Sequence, residues 1–427
     1  MLFVVVVFIF LLLLNMPIAF TIGIAGSMFF LTEPNLPISL AVQRLVTGTQ
    51  AFPLLAVPFF VLAGHIMNAS GITSRVLNFA SALTGHLLGS IAHISIVLSM
   101  LMGGVSGSSN ADVGMQTRIL MPKMRDKGYS DGFSTCVLAY SSLVVAIIPP
   151  SIGLILFGFV GQVSIGKLFL AGIIPGILMS ISMMITVFII AKKRGYDADQ
   201  RERRKTFKEV AISFKESFWA LLFPVILVMT IRFGVFTPTE AGAFAVVYAL
   251  FIGKFVYKEL NLIKIREVFR DTVQDNAIIL LIISMASILG YVLAYGLVPQ
   301  SAAQLIVGVS NSPIIILSII LLFLLLVGMV MEGSVNILLL TPIFLPIVKS
   351  IGYDPIHFGI LMSILIQIGG VTPPVGVNMY TVCSLANVPV EEFLKESLPF
   401  LLTFLVLLAI LVAFPGIVLF LPNLLMK

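Results

Sequence analysis

The hydrophobic pattern of the chain consists of long apolar runs separated by short polar segments. Unbroken runs cover 168–191, 276–295 and 397–421, and an α-helix needs about 20 such residues to cross the hydrocarbon core of a bilayer. A membrane β-barrel would instead show short segments of alternating polarity. The pattern therefore predicts an all-α polytopic membrane protein. Further spans are predicted at 2–31, 53–69, 132–160, 218–233, 240–257 and 356–382.

Two more apolar stretches, about 88–125 and 313–348, are each interrupted near the centre by small and polar residues. Gly104-Val-Ser-Gly-Ser-Ser-Asn110 interrupts the first stretch, and Glu332-Gly-Ser-Val-Asn336 interrupts the second. Non-helical backbone at membrane depth is tolerated only inside protein or beside a water-filled cavity. Both stretches are therefore predicted to be re-entrant helical hairpins with these clusters at their tips.

The chain also contains an internal repeat with an offset of 224 residues. This offset pairs Pro346 with Pro122, Gly352-Tyr353 with Gly128-Tyr129, and Pro373-Pro374 with Pro149-Pro150, and the hairpin tips match with a two-residue slip. An odd number of crossings between the halves inverts the second half relative to the first. The predicted organisation is a first inverted repeat at 1–191, a basic loop and linker helix at 192–239, and a second inverted repeat at 240–427.

Composition and charge agree with a membrane protein and suggest its orientation. Hydrophobic residues make up 59% of the chain and charged residues 10%, whereas soluble domains carry about 25% charged residues. Seventeen of the 25 Lys and Arg residues lie in 123–127, 192–216 and 254–270. Such clusters are typical of cytoplasmic loops beside anionic membrane lipids, and they do not indicate nucleic-acid binding. The pattern predicts a cytoplasmic N-terminus and a C-terminus on the outer, periplasmic face.

Broken helices at matching positions of inverted repeats indicate the midplane site of a secondary transporter. Proline lacks an N–H group and frees a carbonyl one turn upstream, so the Pro-Pro breaks offer carbonyl oxygens inside the membrane. Together with Ser, Thr and Asn oxygens, these suit a hard, weakly held cation such as Na⁺. The candidate Na⁺ ligands are Ser106, Ser108, Asn110, Pro149, Ser151, Glu332, Gly333, Asn336, Gly370, Thr372, Pro374 and Gly376.

Helix N-termini at the same breaks favour an anionic substrate. The candidate substrate-binding residues are Ser109, Asp112, Ser334 and Asn378. Alternative interpretations stay open: a Pro-Pro pair can simply kink a helix, and a Gly-Ser-Ser-Asn cluster can serve helix packing. Asp112 could instead form a structural ion pair with Arg118. Glu240 is predicted to cap its helix or to pin it to a neighbouring helix, and the four histidines are predicted to be structural.

The sequence lacks the patterns that other functions require. It contains no phosphate-binding loop, catalytic triad or zinc motif, so we expect no enzyme, no ATP hydrolysis and no organic cofactor. The two cysteines lie in apolar surroundings, which argues against a disulfide framework. An ion channel also uses intramembrane carbonyls, but channels more often build their pore from symmetric subunits.

Several motifs resemble the large membrane subunit of tripartite ATP-independent periplasmic (TRAP) transporters, from about Met16 to Pro399. They are Pro58-Phe-Phe-Val-Leu-Ala-Gly64, Val105-Ser-Gly-Ser-Ser109, Ile148-Pro-Pro-Ser151, Ser164-Ile-Gly-Lys-Leu-Phe-Leu-Ala-Gly172, Phe236-Thr-Pro-Thr-Glu-Ala241 and Thr372-Pro-Pro-Val-Gly-Val-Asn378. Asn110-Ala-Asp112 departs from the family by being more polar.

The resemblance implies an Na⁺-driven importer of organic acids in a bacterial inner membrane, with an elevator-type mechanism. It also implies a small four-helix membrane subunit, expected here as a separate chain, and a periplasmic protein that delivers the substrate. Sialic acid and C4-dicarboxylates are both family substrates, with sialic acid preferred here. A stand-alone Na⁺/carboxylate or anion transporter of related fold is the alternative.

Overall fold

The computed structural model describes residues 2–14, 16–198, 203–310 and 312–426. These ranges form α-helices and contain no strand, so the all-α fold class is confirmed. Within the described ranges, seven helices are long and apolar enough to cross a membrane. The first part of the chain forms α1 (Leu2–Leu13), α2 (Ile18–Thr32), α3 (Ile38–Thr47), α4 (Ala56–Ala69), α5 (Ile72–Thr84), α6 (Ser90–Ser106), α7 (Ser109–Asp126), α8 (Asp131–Ser142), α9 (Ile152–Gly161) and α10 (Ile165–Arg194).

The long helix α11 (Phe207–Arg232) follows the basic loop and leads into the second part. The remaining helices are α12 (Pro238–Phe251), α13 (Leu262–Tyr295), α14 (Val298–Val309), α15 (Pro313–Gly328), α16 (Gly333–Ser350), α17 (Pro355–Gly369), α18 (Val377–Ala386), α19 (Val390–Ala413) and α20 (Pro415–Leu425). Short 3₁₀ turns cover Phe52–Leu55 and Leu143–Ala146, and one π-helical turn covers Ile252–Val256.

Two predicted spans are each divided into two helices. The predicted single span 2–31 is wrong, because α1 ends at Leu13 and α2 begins after Pro17. The run 397–421 likewise divides at Phe414, which precedes Pro415. A proline disfavours helical geometry at the residue before it, so both divisions follow from local sequence. The short helices α3, α5 and α14 were not predicted.

Both predicted hairpins are pairs of helices. In the first, α6 and α7 are separated by Gly107 and Ser108, and in the second α15 and α16 are separated by 329–332. Helices α7 and α16 each have 18 residues, and their first residues are 224 positions apart. Helices α8 and α17 also begin 224 positions apart. These bounds agree with the sequence repeat, while the inverted orientation of the two halves stays a prediction.

The Pro-Pro pairs interrupt the two predicted broken helices. Backbone outside an α-helix separates α8 from α9 at 143–151 and α17 from α18 at 370–376. The bonds Pro149–Pro150 and Pro373–Pro374 are both cis. Ser151 then caps α9, because its Oγ accepts a hydrogen bond of 3.3 Å from the Leu154 N–H. The breaks bring backbone carbonyls and hydroxyl groups into the interior of the protein.

The helices pack in two groups around these breaks. In one group, which we name the scaffold, α4 packs against α12 and α13, and α13 packs against α2. In the other, which we name the hairpin unit, each hairpin contacts the broken helix of the other half. Helix α7 packs against α18, and α16 packs against α9. The halves therefore interlock at the site described below.

A buried polar cluster fixes the base of the first hairpin. The Asp197 carboxylate accepts hydrogen bonds from the Ser90 N–H at 2.7 Å, the Ser90 hydroxyl at 2.9 Å and the Tyr129 hydroxyl, and Lys127 Nζ lies 3.3 Å away. Burial acts to raise the pKa of Asp197, but these hydrogen bonds and the Lys127 charge outweigh it and hold the pKa below its usual range. The cluster ties the start of α6 and the α7–α8 turn to the end of α10.

Candidate functional site

A cavity of about 510 Å³ lies where the two hairpin tips face the scaffold. The hairpin unit contributes both tips and Gln367 of α17 to the lining, and the scaffold contributes residues of α4 and α13, and we refer to these two sets as the two walls of the cavity. Seven of its lining positions, 106–112, form a continuous segment of the first tip. Residues 332–334 and Ile337 line it from the second tip. Residues from both halves of the chain therefore line the same cavity.

The backbone of the first tip lies in close contact with the first Pro-Pro break. Gly107 has a φ of +61°, a left-handed conformation that glycine adopts readily. A Cβ atom at this position would lie only 2.3 Å from the Pro150 carbonyl oxygen. Ser108 caps α7, with its Oγ 3.4 Å from the Ala111 nitrogen. The residue that caps the α7 N-terminus at the cavity is therefore uncharged.

The second tip carries a charged cap. The Glu332 carboxylate accepts hydrogen bonds from the Ser334 N–H at 2.8 Å, the Val335 N–H at 3.3 Å and the Ser334 hydroxyl at 3.2 Å. Negative charge at a helix N-terminus is stabilised by the helix dipole. The tip is held to the second break because Val375 N donates to the Met329 carbonyl at 3.0 Å. The two tips are alike in backbone and differ in the residue that caps the helix, while each brings one carboxylate to the cavity, Asp112 in the first turn of α7 and Glu332 before α16.

Several buried oxygens near the breaks are suited to a hard cation. Asn336 is fully buried, and its Nδ2 donates to the Met331 carbonyl at 3.0 Å, while its Oδ1 has no partner among the described residues. Asn110 Oδ1 is likewise buried without a partner in the described chain. The Thr372 hydroxyl donates to the Gly369 carbonyl at 2.9 Å, which leaves its lone pairs available. An unpaired buried oxygen is costly, and a bound Na⁺ would satisfy it.

The sixteen predicted site residues divide into a cavity-lining group and a group behind it. The cavity is lined by Ser106, Ser108, Ser109, Asn110, Asp112, Glu332, Gly333 and Ser334. The others lie at the breaks or deeper in α16 and α18: Pro149, Ser151, Asn336, Gly370, Thr372, Pro374, Gly376 and Asn378. Asn378, predicted to bind substrate, is in the second group, and its backbone N–H donates to the Gly370 carbonyl at 2.9 Å.

Asp112 takes part in a buried polar network. Its Oδ2 accepts hydrogen bonds of 2.7 Å from both the Ser99 hydroxyl and Gln116 Nε2. Ser95 continues the network by donating to Gln116 Oε1 at 2.6 Å. The Arg118 side chain is exposed, so the alternative of an Asp112–Arg118 ion pair is wrong. Asp112 is held in the first hairpin by neutral groups.

Four polar residues of the cavity were not predicted from the sequence: His65, Asn68, Asp275 and Gln367. His65 Nε2 lies 2.9 Å from Asp275 Oδ2, although the two residues are 210 positions apart. The prediction that all four histidines are structural therefore left out a cavity residue. Gln367 could have been noticed as an amide in the apolar run before Gly369-Gly370.

One further prediction has a clear outcome. Glu240 caps α12 as predicted, because its carboxylate accepts hydrogen bonds from the Thr237 N–H at 2.7 Å and the Thr237 hydroxyl at 2.8 Å. In the ranges that the structure describes, no group of three or more His, Cys, Asp or Glu residues could hold a metal ion together. The available donors are therefore amide, hydroxyl and carbonyl oxygens with single carboxylates.

A polytopic helical protein with two hairpins and two broken helices around one polar cavity has the architecture of a membrane transporter. The chain belongs to the DctM component family of tripartite ATP-independent periplasmic transporters, whose family model matches residues 5–417. This membership makes the protein a transporter permease of the inner membrane and not an enzyme.

Three relatives illustrate the range of substrates in their names. The chain is 39% identical to the sialic acid TRAP transporter large permease protein SiaM of Vibrio cholerae, over 97% of this chain and 96% of the relative. It is 34% identical to the C4-dicarboxylate TRAP transporter large permease protein DctM of Pseudomonas aeruginosa, over 94% of each chain. It is 38% identical to the isethionate TRAP transporter permease protein DctMQ of Oleidesulfovibrio alaskensis, over 96% of this chain and 64% of that protein.

Proposed function

We propose that this protein is the large permease subunit of an Na⁺-coupled transporter that imports an organic acid anion across the inner membrane. The observation that carries this proposal is the convergence of both hairpin tips, each backed by a Pro-Pro break, on one cavity of about 510 Å³. Such a cavity is large enough for a small organic acid, since ligand pockets commonly measure about 300–1,000 Å³.

The buried oxygens behind the tips support Na⁺ as the coupling ion. Asn336 Oδ1 and Thr372 Oγ1 lie near the second break, and Ser108 and Asn110 lie at the first tip beside the Pro150 carbonyl. These are neutral oxygens, which hard monovalent cations accept and transition metals do not prefer. Na⁺ moving inward supplies about 2.3 kcal/mol per charge per 100 mV, in addition to its concentration gradient.

The α7 N-terminus supports an anionic substrate. Its free N–H groups and dipole attract negative charge, and its cap is the neutral Ser108. The substrates named for the relatives are all acids, but their identities to this chain, 39%, 38% and 34%, are too similar to select one. Sialic acid and C4-dicarboxylates are therefore both candidates, and sialic acid is tested first.

The two walls of the cavity support an elevator-type mechanism. One wall belongs to the hairpin unit, in which tips and breaks are joined by close contacts such as Gly107 against Pro150. The other wall belongs to the scaffold helices α4 and α13. In this proposal the hairpin unit moves with Na⁺ and substrate, and the scaffold stays in place.

The membership in the tripartite family supports two protein partners. These are a small four-helix membrane subunit and a periplasmic substrate-binding protein. The chain spans 64% of the length of the isethionate permease protein, so a further segment is present in that relative. The N-terminus is proposed to be cytoplasmic and the C-terminus periplasmic, since this orientation puts the basic stretches 192–216 and 254–270 inside.

Reconstitution tests the proposal directly. The permease, its small subunit and the binding protein are placed in proteoliposomes, and uptake of labelled sialic acid and succinate is measured with and without an Na⁺ gradient. Uptake that needs both Na⁺ and the binding protein supports the tripartite function. Uptake without the binding protein would favour the stand-alone transporter, and ion conductance without acid transport would favour a channel.

A further inference from the structure

We propose that Asn68 and His65 of α4 contact the organic acid from the scaffold side, and only in the conformation seen here. This inference rests on the proposed function. It concerns the wall of the cavity that faces the hairpin tips, where sequence reasoning placed no site residue.

The scaffold wall has one polar end and one apolar end. Val61, Ile278, Ile279 and Ile282 make up the apolar end. His65, Asn68 and Asp275 make up the polar end. Polar side chains in an otherwise apolar membrane wall are costly unless they have partners or a function.

Both α4 side chains are held in position by a second residue. Asn68 Oδ1 accepts a hydrogen bond of 2.8 Å from the Thr73 hydroxyl, which orients the amide and leaves Nδ2 free to donate to a ligand. His65 Nε2 is held 2.9 Å from Asp275 Oδ2. His65 keeps 27% of its side-chain surface exposed, so the ring remains accessible from the cavity. Because Asp275 brings a carboxylate to the same end of the wall, the two side chains form a prepared polar contact for a hydroxyl or amide group of the acid and not for its carboxylate.

The polar end lies towards the proposed cytoplasmic face. Asn68 is next to the end of α4, where Lys264 Nζ donates to the Ala69 carbonyl at 3.3 Å. Lys264 belongs to the basic stretch 254–270, which the charge pattern assigns to the cytoplasm. A substrate leaving towards the cytoplasm would therefore pass Asn68 and His65.

The position of this contact has a thermodynamic consequence. Helix α4 is packed on α12 and α13 and is not part of the hairpin unit. If the hairpin unit carries the substrate away, the bonds to Asn68 and His65 are lost. A ligand shifts a conformational equilibrium only by the difference between its affinities for the two states. Because the polar end lies towards the proposed cytoplasmic face, we take the present conformation as the cytoplasm-facing one. The contact therefore raises the substrate affinity of this conformation and slows release from it.

Two substitutions test this contact. Asn68→Asp keeps an oxygen for Thr73 and replaces the free amide with a group that repels an anion. His65→Gln keeps a donor for Asp275 and removes the imidazole. Asn35→Asp, at an exposed position between α2 and α3, is the matched control. Exchange of labelled sialic acid, or succinate if sialic acid is not carried, is measured with substrate on each side of oriented vesicles.

We expect Asn68→Asp and His65→Gln to raise the half-saturating concentration on the cytoplasmic side about 3- to 10-fold, the size of one lost hydrogen bond. The half-saturating concentration on the periplasmic side should be unchanged in both variants. In the control variant Asn35→Asp it should be unchanged on both sides. If the half-saturating concentration rose equally on both sides, or on neither side, the inference would be overturned while the proposed function would stand. A wild-type protein without Na⁺-driven acid transport would overturn the proposed function and this inference with it.

Discussion

The Ser109 hydroxyl at the first hairpin tip donates a 2.9 Å hydrogen bond to Gln367 Oε1 on α17, a residue 258 positions later in the chain. The bond crosses between the two halves beside the cavity. Helix α17 ends at the second Pro-Pro break, so the tip of one half is attached to the broken helix of the other. This contact favours a hairpin unit that moves as one body.

The first prediction concerns the coupling ion. Uptake by proteoliposomes should require an inward Na⁺ gradient and should not respond to ATP, because the buried oxygens at the breaks suit Na⁺ and the sequence has no nucleotide motif. The measurement compares initial rates in Na⁺ and K⁺, with and without ATP. Full activity in K⁺ with no Na⁺ on either side would contradict the prediction.

The second prediction concerns two proposed ion ligands. Asn336→Ala and Thr372→Val each remove one oxygen near the second break, at a cost of about 1–3 kcal/mol to a buried site. The Na⁺ concentration for half-maximal uptake should therefore rise about 5- to 150-fold. Ser27→Ala, on scaffold helix α2, is the control and should leave the Na⁺ dependence unchanged. Wild-type Na⁺ dependence in both site variants would mean that the breaks serve packing only.

The third prediction concerns topology. A cysteine introduced at Ala198 should not react with an impermeant thiol reagent added outside intact cells, because the basic segment around it is assigned to the cytoplasm. The native Cys136 and Cys383 are buried, which keeps the background low. Labelling should appear once the cells are permeabilised. Labelling in intact cells would reverse the proposed orientation of both halves.

The fourth prediction concerns the contact of the first tip with its break. Gly107→Ala places a Cβ atom 2.3 Å from the Pro150 oxygen and should abolish most uptake, because the tip must move away from the break. Gly128→Ala is the matched control: its φ is +74°, but nothing lies within 4 Å of an added Cβ. Both variants bear the left-handed strain of about 1–2 kcal/mol. Equal uptake by the two would show that the close contact is dispensable.

The fifth prediction concerns the pH dependence of stability. The pKa of Asp197 is lowered in the folded protein, so its contribution to stability is present above the unfolded value of about 3.9 and is lost as the pH falls through the folded value. At pH 7 the wild type should have a higher thermal midpoint in detergent than Asp197→Asn. The difference should shrink below about pH 4.

Asp271→Asn, which changes an exposed carboxylate on α13, is the control for this measurement. A difference between wild type and Asp197→Asn that stays constant across the acidic range would argue against an ionised Asp197 in the cluster.

Local sequence was sufficient for much of the fold. The length of the apolar runs predicted the helices, and the Gly, Ser and Pro clusters predicted the hairpin tips and both breaks, because these residues act on their own backbone. The division of 2–31 at Pro17 was also within reach of the sequence, since proline ends a helix locally. The short helices α3, α5 and α14 were harder, because none has spanning length.

The cavity itself depends on contacts that no local pattern contains. His65 becomes a cavity residue because α4 packs on α13, which brings Asp275 beside it. Arg118 was the one partner that the sequence suggested for Asp112, but the packing of α6 against α7 supplied Ser99, and α7 itself supplied Gln116. Asn378 does not line the cavity, and its position depends on the direction that α18 takes after the second break.

The unequal caps of the two tips give the cavity a direction for an asymmetric ligand. At α7 the cap is the neutral Ser108, and the Asp112 carboxylate in the first turn is bonded to Ser99 and Gln116, whereas Glu332 places its own carboxylate directly at the α16 N-terminus. An acid with a single carboxylate at one end can orient that end towards α7 and its hydroxyl groups towards Glu332. A short dicarboxylate would bring its second charge towards Glu332, and the proposed Na⁺ would then have to lie between the two carboxylates. The two tips thus present different groups to a ligand in the cavity, the Ser108 hydroxyl at one and the Glu332 carboxylate at the other.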